Sequence, residues 1–352
     1  MDIAVLGACG DVGRQIVQHI VVERLLQCEQ RLVLVGNPDG ASARSAHGLA
    51  ADLMDAYSEI APRIEVVLNP NEIRADLLVV AAGATLEPKL GVAPGSRDEL
   101  AERNAPVFED HAAAIARHGH GHEIAICISN PNELAVAIFA KRLGSHRVIG
   151  MGAYLDSLRF RNEIAHDLGV RRQAVHAFVG GEHGANIVPF WSGVHVYGRD
   201  AETMADEIRR LRHGRGAKDF AEDVAEARRR LGELIEAGRV SEAYALAAQF
   251  PADVRVVVRP FITHYSGAKT VIGTARATME FLRTITLGND ALVAGQIALD
   301  GEVYGIRGTV GLPFVVGNRG VDRVFELPMD ADERALLCAS AERVRDKIAP
   351  FL

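Results

Sequence analysis

The chain opens with a short apolar strand at 2–6 that runs directly into Gly7-Ala8-Cys9-Gly10-Asp11-Val12-Gly13 and then into a helical pattern over 12–26. Each glycine at this spacing meets a different demand. Gly7 permits a tight turn, Gly10 lets the backbone approach a pyrophosphate, and Gly13 lets the helix lie close to the strand. The start of the helix supplies unpaired N–H groups and the positive end of the helix dipole, both suited to phosphate. A glycine-rich turn alone also serves as an ordinary structural turn. With a strand before it and a helix after it, the reading is a dinucleotide site formed by Gly7, Gly10, Asp11, Val12 and Gly13.

The same alternation continues. Apolar runs at 31–35, 63–67, 76–81, 123–128 and 147–149 read as buried strands, and helical patterns such as 99–118 lie between most of them. Near-continuous apolar strands separated by helices mean a parallel sheet covered on both faces. Six of them fit an α/β fold of the doubly wound Rossmann type. With 352 residues the chain has room for two domains. The pattern changes after about Gly152, so we expect a dinucleotide-binding domain over 1–150 and an α+β substrate domain over 151–352. In the second half, 200–212 and 218–249 read as exposed amphipathic helices, 268–284 as a buried helix, and 174–179, 291–298, 309–316 and 323–327 as strands.

A net charge of −7 argues against general affinity for nucleic acid, which requires a positive surface. No apolar stretch approaches the length of a membrane span and the first residues lack the pattern of a secretory signal, so the expected compartment is the cytoplasm. Cys9, Cys28, Cys127 and Cys338 are scattered with no Cys-x-x-Cys, which reads as reduced thiols, with neither disulfides nor a metal site expected.

The second strand bears on which nucleotide is bound. Folds of this type that bind NAD usually end that strand on an acid that holds the 2′-hydroxyl of the ribose. Here it ends at Gly36-Asn37, followed by Ser42, Arg44 and Ser45. A guanidinium with hydroxyls suits a 2′-phosphate, which a carboxylate would repel. NADP is therefore slightly favoured over NAD, although Asp39 lies nearby and Ser42 and Arg44 also suit the start of a helix.

Reactive side chains gather further on. In Tyr154-Leu155-Asp156-Ser157-Leu158-Arg159, Asp156 and Arg159 share one face of a helix, a spacing that also suits a plain surface ion pair with Arg159 reaching Glu163. Downstream, Gly181-Glu182-His183-Gly184 sets a histidine in a glycine-flanked loop after a strand. A lone histidine is more often structural; these pieces carry weight together.

At this point the chain resembles the lactate/malate dehydrogenase family over nearly its whole length. Five ordered signatures carry the likeness: the glycine turn, Arg97-x-Glu99-Leu100-x-x-x-Asn104, Ser129-Asn130-Pro131, Leu155-Asp156-x-x-Arg159, and Gly181-Glu182-His183-Gly184. The resemblance implies an NAD(P)-dependent 2-hydroxyacid dehydrogenase. In it His183 would be the acid–base group, Asp156 would fix the imidazole's tautomer and favour its protonated form, and Arg159 would grip the α-carboxylate. Arg97 would polarise the substrate carbonyl, and Asn130 would hydrogen-bond the substrate or the cofactor. Ala82, Gly83, Asn104, Ser129 and Asn130 complete the expected cofactor contacts. Two of these sites have local readings too: Ser96-x-x-Glu99 is a capping box, and Asn130-Pro131-x-Glu133 suits a helix start with Asn as cap and Pro at the first position.

The segment 83–95 reads as a lid, longer than is usual in the family. Malate-specific relatives carry a second arginine there; here Lys89 is the lid's one cation. Arg259, His264 and Lys269, close to an apparent helical insertion over about 214–260, are the other candidates to meet a distal carboxylate. Malate and oxaloacetate are the favoured pair, with another 2-oxo acid or a non-catalytic cofactor-binding homologue as alternatives. An NAD-dependent glycosidase would need a cysteine–histidine manganese site that the segment after Pro131 does not carry. A homodimer or homotetramer is expected.

Overall fold

The computed structural model describes residues 1–87, 97–184 and 186–352, and the side chain of Arg97 is not among what it describes. The first half is β1 (Ile3–Leu6), α1 (Asp11–Val22), β2 (Arg31–Val35), α2 (Ala41–Tyr57), β3 (Arg63–Val67), β4 (Leu77–Val80), α3 (Arg97–His118), β5 (Ile124–Cys127), α4 (Asn132–Leu143) and β6 (Val148–Gly150). Its strands run parallel in the order β3-β2-β1-β4-β5-β6, with Ile3 between Leu32 and Leu77. Every residue of β1, β4 and β5 is buried, because helices cover both faces. The chain order reverses between β1 and β4, and ligands bind such sheets in the crevice beyond the strands' carboxyl ends at that point.

These six strands are the parallel part of a longer sheet. The second half comprises α5 (Gly152–Leu168), β7 (Val175–His176), β8 (Val179–Gly181), β9 (Ile187–Pro189), β10 (His195–Val196), α6 (Ala201–Leu211), α7 (Phe220–Glu236), α8 (Val240–Ala247), α9 (Ala252–Tyr265), α10 (Val271–Leu287), β11 (Ala291–Asp300), β12 (Arg307–Gly317), β13 (Gly320–Val324) and α11 (Ala331–Ile348). Antiparallel pairing of β11 to β6, at Gln296 and Gly150, carries the sheet on through β12, β8 and β9. The strand that delivers His183 is therefore hydrogen-bonded into the sheet that carries the glycine turn.

Two expectations from the sequence need correction. The span 218–249 is not one helix: Gly238 at φ +74° ends α7, its N–H and that of Arg239 donating back to Ile235 and Leu234. The apolar faces of these helices pack inward. Phe220, Val224, Leu231, Ile235 and Ala243 are buried in a second core with Phe160, Ile164 and Trp191, the last packing edge-on to Phe160 at 4.8 Å. The expected strand at 174–179 is likewise split into β7 and β8.

Gly7 takes φ +81°, and its N–H and that of Ala8 donate to the Val35 carbonyl, fixing the turn against β2. A Cβ at Gly13 would lie 2.2 Å from the Gly7 carbonyl oxygen. Gly13→Ala should therefore force α1 off the turn, destabilising the fold by about 1–3 kcal/mol and weakening dinucleotide binding. Thermal unfolding and a fluorescence titration with reduced dinucleotide check both effects; an unchanged affinity would separate the helix contact from the binding turn.

Candidate active site

α5 begins directly after β6 and presents Asp156, Arg159, Glu163 and Asp167 along one stripe, at helical spacing. Asp156 is 1% exposed, so it is no solvent-facing pair. Its Oδ1 accepts from Arg159 Nη1 at 2.9 Å. Its Oδ2 accepts from His183 Nδ1 at 2.7 Å and from the Gly184 N–H at 3.3 Å. Arg159 does not reach across to Glu163, which Arg255 and Arg259 hold from α9 at 2.6 and 2.5 Å. Burial pushes the Asp156 carboxyl upward, but His183, Arg159 and the Gly184 N–H outweigh it and hold the group below the usual carboxylate range. With Nδ1 committed to Asp156, the Nε2 edge of His183 is left for a substrate oxygen.

The loop that carries His183 is fixed from several sides. Its backbone N–H donates to buried Glu133 at 2.7 Å, at the start of α4 beyond the end of β5. On the other side the Glu182 N–H donates to the Ser340 hydroxyl at 3.0 Å, and its carboxylate accepts from Asn186 Nδ2 at 2.7 Å and Lys347 Nζ at 2.9 Å. Gly152 makes room for the imidazole: a Cβ there would stand 2.4 Å from His183 Cγ. Sequence reading gave Glu133 no part beyond a helix start, although an acid beside the Asn130-Pro131 signature was there to question.

On the nucleotide side the turn fits a pyrophosphate. No side chain caps α1, and a Cβ at Gly10 would meet nothing nearer than the Gly7 carbonyl oxygen at 3.4 Å, so the N-terminal face of Asp11 and Val12 is open to a ligand. Lys269, just before α10, reaches Asp11 at 2.7 Å, and α10 is pinned to α1 by Arg276 and Arg283 on Glu23. Gly36 follows β2; the Ser42 hydroxyl accepts from the Asn37 N–H at 2.8 Å, while Arg44 is exposed in the first turn of α2.

Asn104 and Ser129, among the other expected contacts, tie neighbouring loops together. Asn104 is fully buried; its Nδ2 donates to the carbonyls of Ala84 and Asn130 at 3.0 and 2.6 Å and its Oδ1 accepts from the Ala84 N–H. It is a strut between the two loops above β4 and β5 rather than an open ligand, and it fills the space beside Gly83, where a Cβ would meet its Oδ1 at 2.8 Å. The Ser129 hydroxyl donates to the carbonyls of Ala82 and Val80 at 2.6 and 3.1 Å, tying the same two loops. Asn130 is exposed beside them but does not cap α4: Pro131 occupies the cap position and Asn132 begins the helix. Arg97 opens α3; Lys89, most of the expected lid and its Ser96 capping box lie outside the described residues.

Family models match both halves. That of the lactate/malate dehydrogenase NAD-binding domain matches residues 1–150, and that of the lactate/malate dehydrogenase alpha/beta C-terminal domain matches 153–267 and 261–352. The chain belongs to the lactate/malate dehydrogenase family. Relatives in this family include an L-lactate dehydrogenase of Geotalea daltonii, 30% identical over 99% of this chain and 98% of that one. A malate dehydrogenase of Methanothermobacter thermautotrophicus is 27% identical over 98% and 95%. The fold is that of the lactate dehydrogenase of Cryptosporidium parvum, at a TM-score of 0.75 and 23% identity over 99% of this chain and 97% of that one. Membership in a dinucleotide-dependent family agrees with the open glycine turn.

Proposed function

We propose that this chain is an NAD(P)-dependent 2-hydroxyacid dehydrogenase, with malate and oxaloacetate as the favoured pair. The observation that carries the reading is the buried Asp156 carboxylate holding His183 and Arg159 at 2.7 and 2.9 Å, beyond the carboxyl ends of β5 and β6. The nicotinamide would supply the hydride in reduction and take it in oxidation. His183 gives its Nε2 proton to the substrate's carbonyl oxygen in reduction and accepts the hydroxyl proton in oxidation, while Asp156 holds the ring in place. Arg159 binds the α-carboxylate with its planar fork. Arg97 is proposed to polarise the carbonyl, with Lys89 and Asn130 on the substrate's other sides. Ala82 and Gly83 after β4, Ser129 after β5 and Asn104 on α3 shape the cofactor cleft. Assays of oxaloacetate, pyruvate and other 2-oxo acids with NADH and with NADPH, followed by nicotinamide absorbance, test the activity; turnover with none of them refutes it.

For the cofactor we favour NADP slightly over NAD. Support comes from the missing acid at Gly36-Asn37 and the exposed Arg44 guanidinium. Because the Ser42 hydroxyl is engaged by Asn37, Arg44 carries most of the selectivity. A charge-assisted bond of this kind is worth about tenfold or more in affinity, so Arg44→Ala should lower kcat/KM for NADPH by about that factor and leave NADH nearly unchanged. An unaltered ratio would remove Arg44 from the site. Among the described residues no helix is long and apolar enough to cross a membrane. We place the enzyme in the cytoplasm as a homodimer or homotetramer. The exposed Ile272 and Leu287 of α10 support self-association, which analytical ultracentrifugation checks.

A further inference from the structure

We propose that His264 is the specificity-determining residue that meets the distal carboxylate of a dicarboxylic 2-oxo acid; this rests on the dehydrogenase reading above and deepens it. The basis is the register of α9 against α5. Arg255 pairs with Asp167 at 2.6 Å and with Glu163, and Arg259, one turn later on α9, pairs with Glu163 again. The helices therefore run antiparallel, and one further turn of α9 brings 263–264 level with Arg159 on α5. His264 stands at that level, in the last turn of α9, partly buried.

Arg259, Lys269 and His264 are the candidates beyond the lid to meet a second carboxylate. Arg259 is bound to Glu163 and Lys269 to Asp11. His264 is the one whose electrostatic surroundings are the catalytic pair itself. Burial, then Arg159 and His183, hold its imidazole below the usual histidine range. The part of this effect that comes from Arg159 and His183 also favours an anion at this point. In its neutral form the imidazole still carries one N–H to donate to a carboxylate oxygen. Arg159 takes the α-carboxylate at one end of the substrate, and His264 beside it takes the other. The plainer role for this histidine is to interact with the C-terminal end of α9, and that role is indifferent to the substrate.

The test is the kinetics of His264→Leu and His264→Gln with oxaloacetate and pyruvate, together with fluorescence titration of the enzyme–NADH complex by tartronate, a dicarboxylate, and by oxamate, which has one carboxylate. Loss of a hydrogen bond to a charged group corresponds to about 10–100-fold. His264→Leu should lower kcat/KM for oxaloacetate and affinity for tartronate by that factor, and leave pyruvate and oxamate nearly unchanged. His264→Gln, which keeps an N–H donor, should recover most of the loss. Equal effects on the mono- and dicarboxylates, or none on either, overturn the proposal while the dehydrogenase stands. So does a wild-type enzyme that reduces pyruvate but not oxaloacetate. A wild type that reduces no 2-oxo acid overturns both readings.

Discussion

His183→Asn is expected to abolish turnover while leaving dinucleotide affinity as it is. Asparagine fits the same space and can still donate to Asp156, so the loop held by Glu133, Ser340 and Lys347 has no reason to move. What it lacks is a ring nitrogen that can give and take a proton. A positioned acid–base group contributes about 10²–10⁴-fold, and among the described residues none is hydrogen-bonded to Nε2 of His183 that could substitute. Single-turnover absorbance of the reduced nicotinamide measures the chemical step, and fluorescence titration measures binding. A variant that keeps more than about a tenth of wild-type turnover would take His183 out of the proton-transfer role.

What could be read from the sequence was what local spacing encodes. Gly7, Gly10 and Gly13 fall within a single strand-to-helix turn; Gly10 and Gly13 face the Gly7 carbonyl within it, and Gly7 lies against Ala81 and Ala82 after β4. Asp156 and Arg159 share a helical face whatever the rest of the chain does. The apolar runs of β1, β4 and β5 identify themselves because both faces of those strands are covered.

Long-range register was not legible. Nothing local tells Gln296 that it will lie opposite Gly150 and extend the sheet, or tells Glu133 that it will receive an N–H from a residue fifty positions on. The roles of Asn104 and Ser129 changed for the same reason: polar side chains inside shared signatures look like ligands until the loops they tie together are placed. His264 became distinct from Arg259 and Lys269 only when the ion pairs of α9 with α5, and of Lys269 with Asp11, had claimed the other two. The break at Gly238 was readable in principle, since a glycine followed by a basic residue commonly ends a helix, but the apolar periodicity on both sides masked it.

Asp156→Asn should damage catalysis and stability together, with different dependences on pH. The carboxylate serves two donors at once, Arg159 on Oδ1 and His183 on Oδ2. An amide has one acceptor oxygen, so it can satisfy Arg159 or His183 but not both, and its NH₂ then faces a donor. If the ring turns to avoid that NH₂, Nε2 carries the wrong proton for its task, and turnover should fall by about 10³-fold or more. Stability follows from linkage. The folded-state carboxyl is held below its ordinary value of 3.8. Its charge therefore stabilises the fold fully above the unfolded value, and that contribution is lost as pH falls through the lower folded value. Breaking a buried ion pair costs about 3–5 kcal/mol; because the Arg159 side chain is 22% exposed and water can solvate it, the low end of that range applies. Urea unfolding should thus separate wild type from variant at pH 7, with the gap narrowing below the unfolded value and closing only below the lower folded value. A difference that stays constant across that range would mean the variant acts through packing in α5, and the charge would then matter to catalysis alone.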